Sequence, residues 1–243
     1  MLASFKRAAQ AVATELLTAM GCFIAGLLLV GLPGVADGLR AVTGAVFGRP
    51  NLPADQARIA LSLALTPLAT LAAAGLYRKI GRALDQDAPA PQPAPVAAPG
   101  WSAALVVAHI AAAFVGSYLL GFLMNLLGAP VTEQKLVLDL VAAGGPAVAN
   151  LTLSALVLAP IGEEWFFRGQ LFTRLARSAG PIPAYAASAL LFAVFHDNLR
   201  GLVIYLWLGL VFAHVLARTG RLSCAIAVHF GNNAITLATL LSM

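Results

Sequence analysis

The chain has 243 residues, 60% of them hydrophobic and only 10% charged, with a mean hydropathy of +0.87. That mixture excludes an ordinary soluble domain and describes an integral membrane protein. The net charge of +5 comes from Lys and Arg residues scattered at the ends of apolar runs, which excludes a nucleic-acid-binding face and reads instead as membrane topology.

In chain order, uncharged runs that cross or nearly cross a hydrocarbon core of about 30 Å occupy 16–36, 59–77, 101–132, 140–162, 178–195, 201–217 and 222–243. A weaker eighth segment lies near 41–48 or 133–143. The fold class expected is therefore all-α, a polytopic transmembrane helical bundle of seven to eight membrane spans. Lys6 and Arg7 precede the first span, Arg78, Lys79 and Arg82 follow the second, Arg174 and Arg177 follow the fourth, and Arg218 and Arg221 separate the last two. With seven spans all four basic groups share one side, so a multi-pass protein of the cell membrane is expected, its N-terminus cytoplasmic and its C-terminus outside. The first run is longer than a signal-peptide core and six more follow it, so it reads as a retained anchor. Cys22 and Cys224 lie in or beside apolar runs without metal-knuckle or redox spacing, and read as small buried hydrophobes.

The Pro/Ala-rich tract "DQDAPAPQPAPVAAPG", 85–100, is expected to be an extended cytoplasmic linker. It divides an N-terminal two-span scaffold, 1–84, from a five-span core, 101–243. The front part carries little polar content beyond Glu15 and Pro67, the latter expected to kink its helix, with Thr66 and Ser62 near the freed backbone groups.

The back part differs, because Glu163, Glu164, Arg168, His196, His214, His229, Asn232 and Asn233 all sit within or at the edge of apolar segments. An ionisable group near the bilayer centre costs about 2.5–3.5 kcal/mol on insertion scales, so such a gathering points to function. Glu164 and Arg168 are four apart and share a helix face, where they form an ion pair in the favourable order. Glu163 is turned about 100° from that pair, unpaired and available as a general base. Pro160 bends the helix at the same level. "FAVFH", ending at His196, and "HFGNN", with His229 and Asn233 four apart, follow on later spans. At about 1.5 Å per helical residue, Glu163 lies about 16 Å from Arg174, His229 about 12 Å from Arg221 and His196 about 22 Å from Pro181. All three fall within the membrane, His196 fitting least comfortably. A base, a second imidazole and a His/Asn pair at similar depth suit hydrolysis, in which water is activated and an oxyanion is held.

These segments resemble the motifs of the CPBP family of intramembrane proteases, which includes the CaaX prenyl endopeptidases and bacteriocin-processing or immunity proteins. "EEWFFR" matches its EExxxR, "FAVFH" its FxxxH and "HFGNN" its HxxxN, over roughly 140–240. The resemblance implies Glu163 as the residue that activates water, assisted by His196, with His229 and Asn233 holding the oxyanion and Glu164 and Arg168 completing the first motif. It implies either a metal-free glutamate mechanism or a divalent ion such as zinc held by Glu163, His196 and His229; the HExxH spacing of ordinary zincins is absent. The substrate implied is a membrane protein or peptide, with the bilayer as partner and no nucleic acid.

Each motif taken alone also has a plain structural reading. Two glutamates beside an arginine can mark an interfacial helix end, His196 begins a polar loop with Asp197, Asn198 and Arg200, and His229 with Asn233 can glue helices together. The ordered set of three favours catalysis. His109 and His214 match no motif and read as packing or lumen-facing residues, Asn232 faces away from Asn233, and Trp101 reads as an interfacial anchor. Two further function classes remain open. One is a catalytically silent immunity or assembly factor of the same family; the other is a proton-coupled transporter with Glu163 as relay, disfavoured because no repeat pairs the two halves.

Overall fold

The computed structural model describes residues 2–35, 37, 38, 41, 54–85, 101–132 and 135–242. The expected linker, Asp85 apart, and the candidate segment at 41–48, Ala41 apart, lie outside the described residues. Among the described residues every regular element is helical, as an apolar chain requires when its backbone groups must find partners within their own segment. We label the helices α1 (Leu2–Val30), α2 (Ala54–Asp85), α3 (Ala103–Leu126), α4 (Lys135–Ala143), α5 (145–178), α6 (Pro181–Phe195), α7 (Leu202–Thr219) and α8 (Leu222–Leu241).

Among the described residues four stretches are long and apolar enough to cross a bilayer: Phe5–Val30, Ala103–Leu126, Leu199–Thr219 and Leu222–Leu241. They expose large side chains such as Leu28, Val107, Tyr118 and Leu126, as lipid-facing surfaces do. α6 is apolar but only 15 residues long, and it ends at His196, where Asp197 takes a left-handed conformation with φ 47°. The three-residue turn Leu199–Gly201, held by Asn198 accepting from the Gly201 N–H at 3.1 Å, leads into α7.

The uncharged run 140–162 is not one straight span. Gly144 and Gly145 both have positive φ, 64° and 49°, a conformation that residues with a Cβ adopt only at a cost. They separate the short α4 from α5.

α5 carries the first motif and departs from ideal α geometry twice. Gly145–Leu153 is α-helical, Ser154–Leu158 is a π turn, Ala159–Glu163 is α, Glu164–Phe172 is π again, and Thr173–Ser178 returns to α. The first widening has a visible cause. Pro160 has no N–H, and its ring crowds the carbonyl four residues back; just before it, the Ala159 N–H reaches the Ser154 carbonyl, five residues back. A sequence reading that expected a proline bend thus meets π turns, a form that concentrates at functional sites.

The main core joins both halves of the chain. Ala19 and Cys22 of α1 and Ala73, Ala74 and Tyr77 of α2 pack with Phe166, Phe167 and Leu171 of α5, Phe192 of α6, Phe212 of α7 and Val228 of α8. Cys22 and Cys224 are buried free thiols, as expected. His109 and His214 stack on each other, centroids 5.4 Å apart, and Trp101 is exposed.

Candidate active site

α5 presents the two glutamates to different surroundings. Glu164 is fully buried, as is Arg168 one turn on, and the Arg168 Nε stands 3.3 Å from Glu164 Oε2. Arg168 also donates from Nη2 to the Gly209 carbonyl of α7 at 3.1 Å. Its guanidinium lies over the Phe192 ring at 4.3 Å and the Phe212 ring at 5.2 Å, a placement that suits a flat, weakly hydrated cation. The ion pair anticipated from the i, i+4 spacing is therefore present.

It has a third member. His229, on α8, bonds through Nδ1 to Glu164 Oε1 at 2.9 Å. An ionised carboxylate only accepts, which assigns the proton to Nδ1 and leaves Nε2 directed away from Glu164. The imidazole stacks on Phe212, 4.6 Å between centroids at 18°, so both ring face and ring edge are fixed.

Glu163 is half-buried, its side chain 13% exposed. Its Oε2 makes no hydrogen bond among the described residues and stands 4.0 Å from His196 Nε2. His196 engages the Phe192 carbonyl through Nδ1 at 2.8 Å. A carbonyl also only accepts, so Nδ1 carries the hydrogen and Nε2 of the neutral ring offers a lone pair to the side where Glu163 lies. Two acceptors then face each other across a gap too wide for a direct bond, and a molecule with two donors, such as water, satisfies both. His196 is held from its other face by Tyr205, stacked at 4.0 Å.

Asn233 donates from Nδ2 to the Ala155 carbonyl in the first π turn of α5, at 2.8 Å, and accepts from Asn232 at 3.3 Å. The structure thus ties this amide to the same helix that carries the glutamates. Phe192 stands between the two halves of the site, with its ring centroid 4.5 Å from that of His196 and 6.1 Å from that of His229.

The sequence reading brought Glu163, Glu164, Arg168, His196, His229 and Asn233 to one region, and the structure gathers them around α5. It missed Tyr205, Gly209 and Phe212, which contact His196, Arg168 and His229. The signal was there in their spacing: at i, i+4 and i+7 they form one stripe on α7. As for metal, no group of three His, Cys, Asp or Glu side chains among the described residues converges as a ligand set. The arrangement of Glu163, His196 and His229 does not fit a bound ion.

Comparison with known proteins adds to this geometry. Residues 145–235 match the family described as "Type II CAAX prenyl endopeptidase Rce1-like". A curated protein, "Putative membrane peptidase YdiL" of Bacillus subtilis (strain 168), is 30% identical over 91 residues. That match takes in 37% of this chain, and the chain covers 37% of the relative's length. No solved structure matches. The three motifs, the contacts they make and the match over 145–235 make this segment of the chain similar to the Rce1-like endopeptidases of the CPBP family.

Proposed function

We propose that the protein is an intramembrane endopeptidase that hydrolyses a peptide bond of a membrane-associated protein or peptide. One observation carries this reading: the open Glu163 Oε2 faces His196 Nε2 across 4.0 Å, a gap that suits a water molecule donating to both.

In this mechanism Glu163 takes one proton from that water as its oxygen attacks the scissile carbonyl carbon, while His196 Nε2 accepts the second hydrogen and holds the water in line. The carbon–oxygen double bond becomes a tetrahedral oxyanion. His229, its ring kept in orientation by Glu164 and Phe212, and Asn233, with the remaining N–H of its amide, hold it. As the carbon–nitrogen bond breaks, the proton held by Glu163 passes to the leaving amine and the carboxylate is regenerated. The oxyanion roles rest on the family resemblance and on the placement of both residues along α8, beside α5.

The test uses the purified full chain in liposomes with internally quenched, membrane-inserted peptides. Glu163→Gln keeps the size and removes the base, so kcat is expected to fall about 100- to 10,000-fold with the melting temperature held. Undiminished cleavage by Glu163→Gln sinks the mechanism. A partner-protection phenotype in cells that survives the same substitution would select the catalytically silent reading.

A further inference from the structure

The front helices α1 and α2 read from sequence as scaffold, and the family match begins only at residue 145. Their contacts with the site tell otherwise. Glu15, the one acidic residue of α1, is buried, 7% exposed. Arg174 of α5 donates from Nε to both of its oxygens, at 3.1 and 3.0 Å. Tyr77 of α2, fully buried, donates to the same carboxylate and lies under the Arg174 guanidinium at 5.9 Å. Gly81 leaves room for it: a methyl group there would come 3.0 Å from Arg174 Cζ. One carboxylate therefore joins three helices.

The same two helices touch the chain next to each member of the Glu163–His196 pair. Gly162 lies so close to α2 that an added methyl would stand 2.7 Å from the Pro67 carbonyl oxygen and from Thr70 Oγ1. Thr70 in turn donates to that carbonyl at 2.7 Å, beside the proline inside α2. On the other side, Phe23 of α1 packs on Phe195, the residue before His196, at 4.3 Å between centroids, and on Phe166 at 6.3 Å.

α5 carries adjacent glutamates with different surroundings, so its register matters. A slip of one residue, about 1.5 Å along the axis and about 100° around it, would bring Glu163 to where Glu164 meets Arg168 and His229. Apolar packing alone resists such a slip weakly, whereas a buried polar pair has one satisfied arrangement, the use of buried polar groups that is best attested. We propose that the Glu15–Tyr77–Arg174 clasp, together with the Gly162 and Phe23 contacts, fixes the register of α5 and the gap between Glu163 and His196. Glu15, Tyr77 and Arg174 are then positioning residues, and the front pair of helices is part of the working site. This inference rests on the proposed hydrolysis for its meaning, though not for its detection.

Two readouts on the full chain test it. With the peptide cleaved best in the liposome screen, Glu15→Gln and Tyr77→Phe are expected to lower kcat about 10- to 100-fold, the scale of an ångström of misplacement, with KM near wild type. The exchange Glu15→Arg with Arg174→Glu is expected to recover most of the loss. The second readout needs no activity. In a Glu163→Cys background the new thiol reacts with a water-soluble maleimide, and Glu15→Gln is expected to slow that labelling toward the rate of buried Cys224. If cleavage in wild type fails but labelling responds, the proposed function falls and the clasp stands. If Glu163→Gln abolishes cleavage while the Glu15 and Tyr77 variants change neither kcat nor labelling, the clasp is overturned. A lowered melting temperature with kcat and labelling of the folded fraction unchanged also overturns it, since that is a stability effect alone.

Discussion

Glu163 and Glu164 share a backbone and little else: one is held by Arg168 and His229, the other keeps an oxygen open beside His196. The difference follows from burial and partners. A carboxylate with no exposed surface must be compensated, and Arg168 compensates Glu164 while itself enclosed by Phe167, Phe192 and Phe212. Removing one side of such a pair leaves the other buried and uncompensated. Arg168→Ala is therefore expected to destabilise the protein by about 3–5 kcal/mol, read as a drop in thermal unfolding in detergent. The double variant Glu164→Gln with Arg168→Met, which removes both charges, should recover a large part of that stability while cleavage stays low, because His229 has lost its carboxylate. Retention of the wild-type melting temperature by Arg168→Ala would show that the pair does not carry its assigned structural part.

The site is built on one irregular helix, α5, and on how closely α6 and α7 approach it. The first π turn of α5 lies where Pro160 removes a hydrogen bond, and the second carries the motif arginine and Phe167, one of the three rings that enclose it. α6 and α7 meet at Gly209, where an added methyl would stand 2.8 Å from Ala189 Cα. The carbonyl of the same residue is the acceptor for Arg168. Gly209→Ala is thus expected to part the two helices, costing about 1–3 kcal/mol and lowering cleavage through Tyr205 and Phe212, which lie on the same stripe. Wild-type melting and wild-type kcat in this variant would mean that the helix contact has slack. The sequence showed the glycine but not its neighbour, since close approach between helices is a property of two surfaces.

For the molecule as a whole, the basic residues give an orientation that can be tested directly. Ser178 and Leu199 stand at opposite ends of α6, both exposed. Because the native cysteines are buried, Leu199→Cys is expected to react with an impermeant maleimide in intact cells, and Ser178→Cys only after permeabilisation. The reverse pattern would invert the topology. By itself the sequence determined the helical class, since a hydrocarbon interior leaves a chain this apolar few other ways to satisfy its backbone. It also determined the Glu164–Arg168 pair, because i, i+4 neighbours share a face on a helix whatever surrounds it. Only the tertiary structure decided which histidine meets which glutamate, that Asn233 is tied to Ala155, and that α1 and α2 reach the residues beside Glu163 and His196. Those contacts join residues tens of positions apart or more. They are set by how helix surfaces pack in three dimensions, which hydrophobic periodicity along a single chain does not encode.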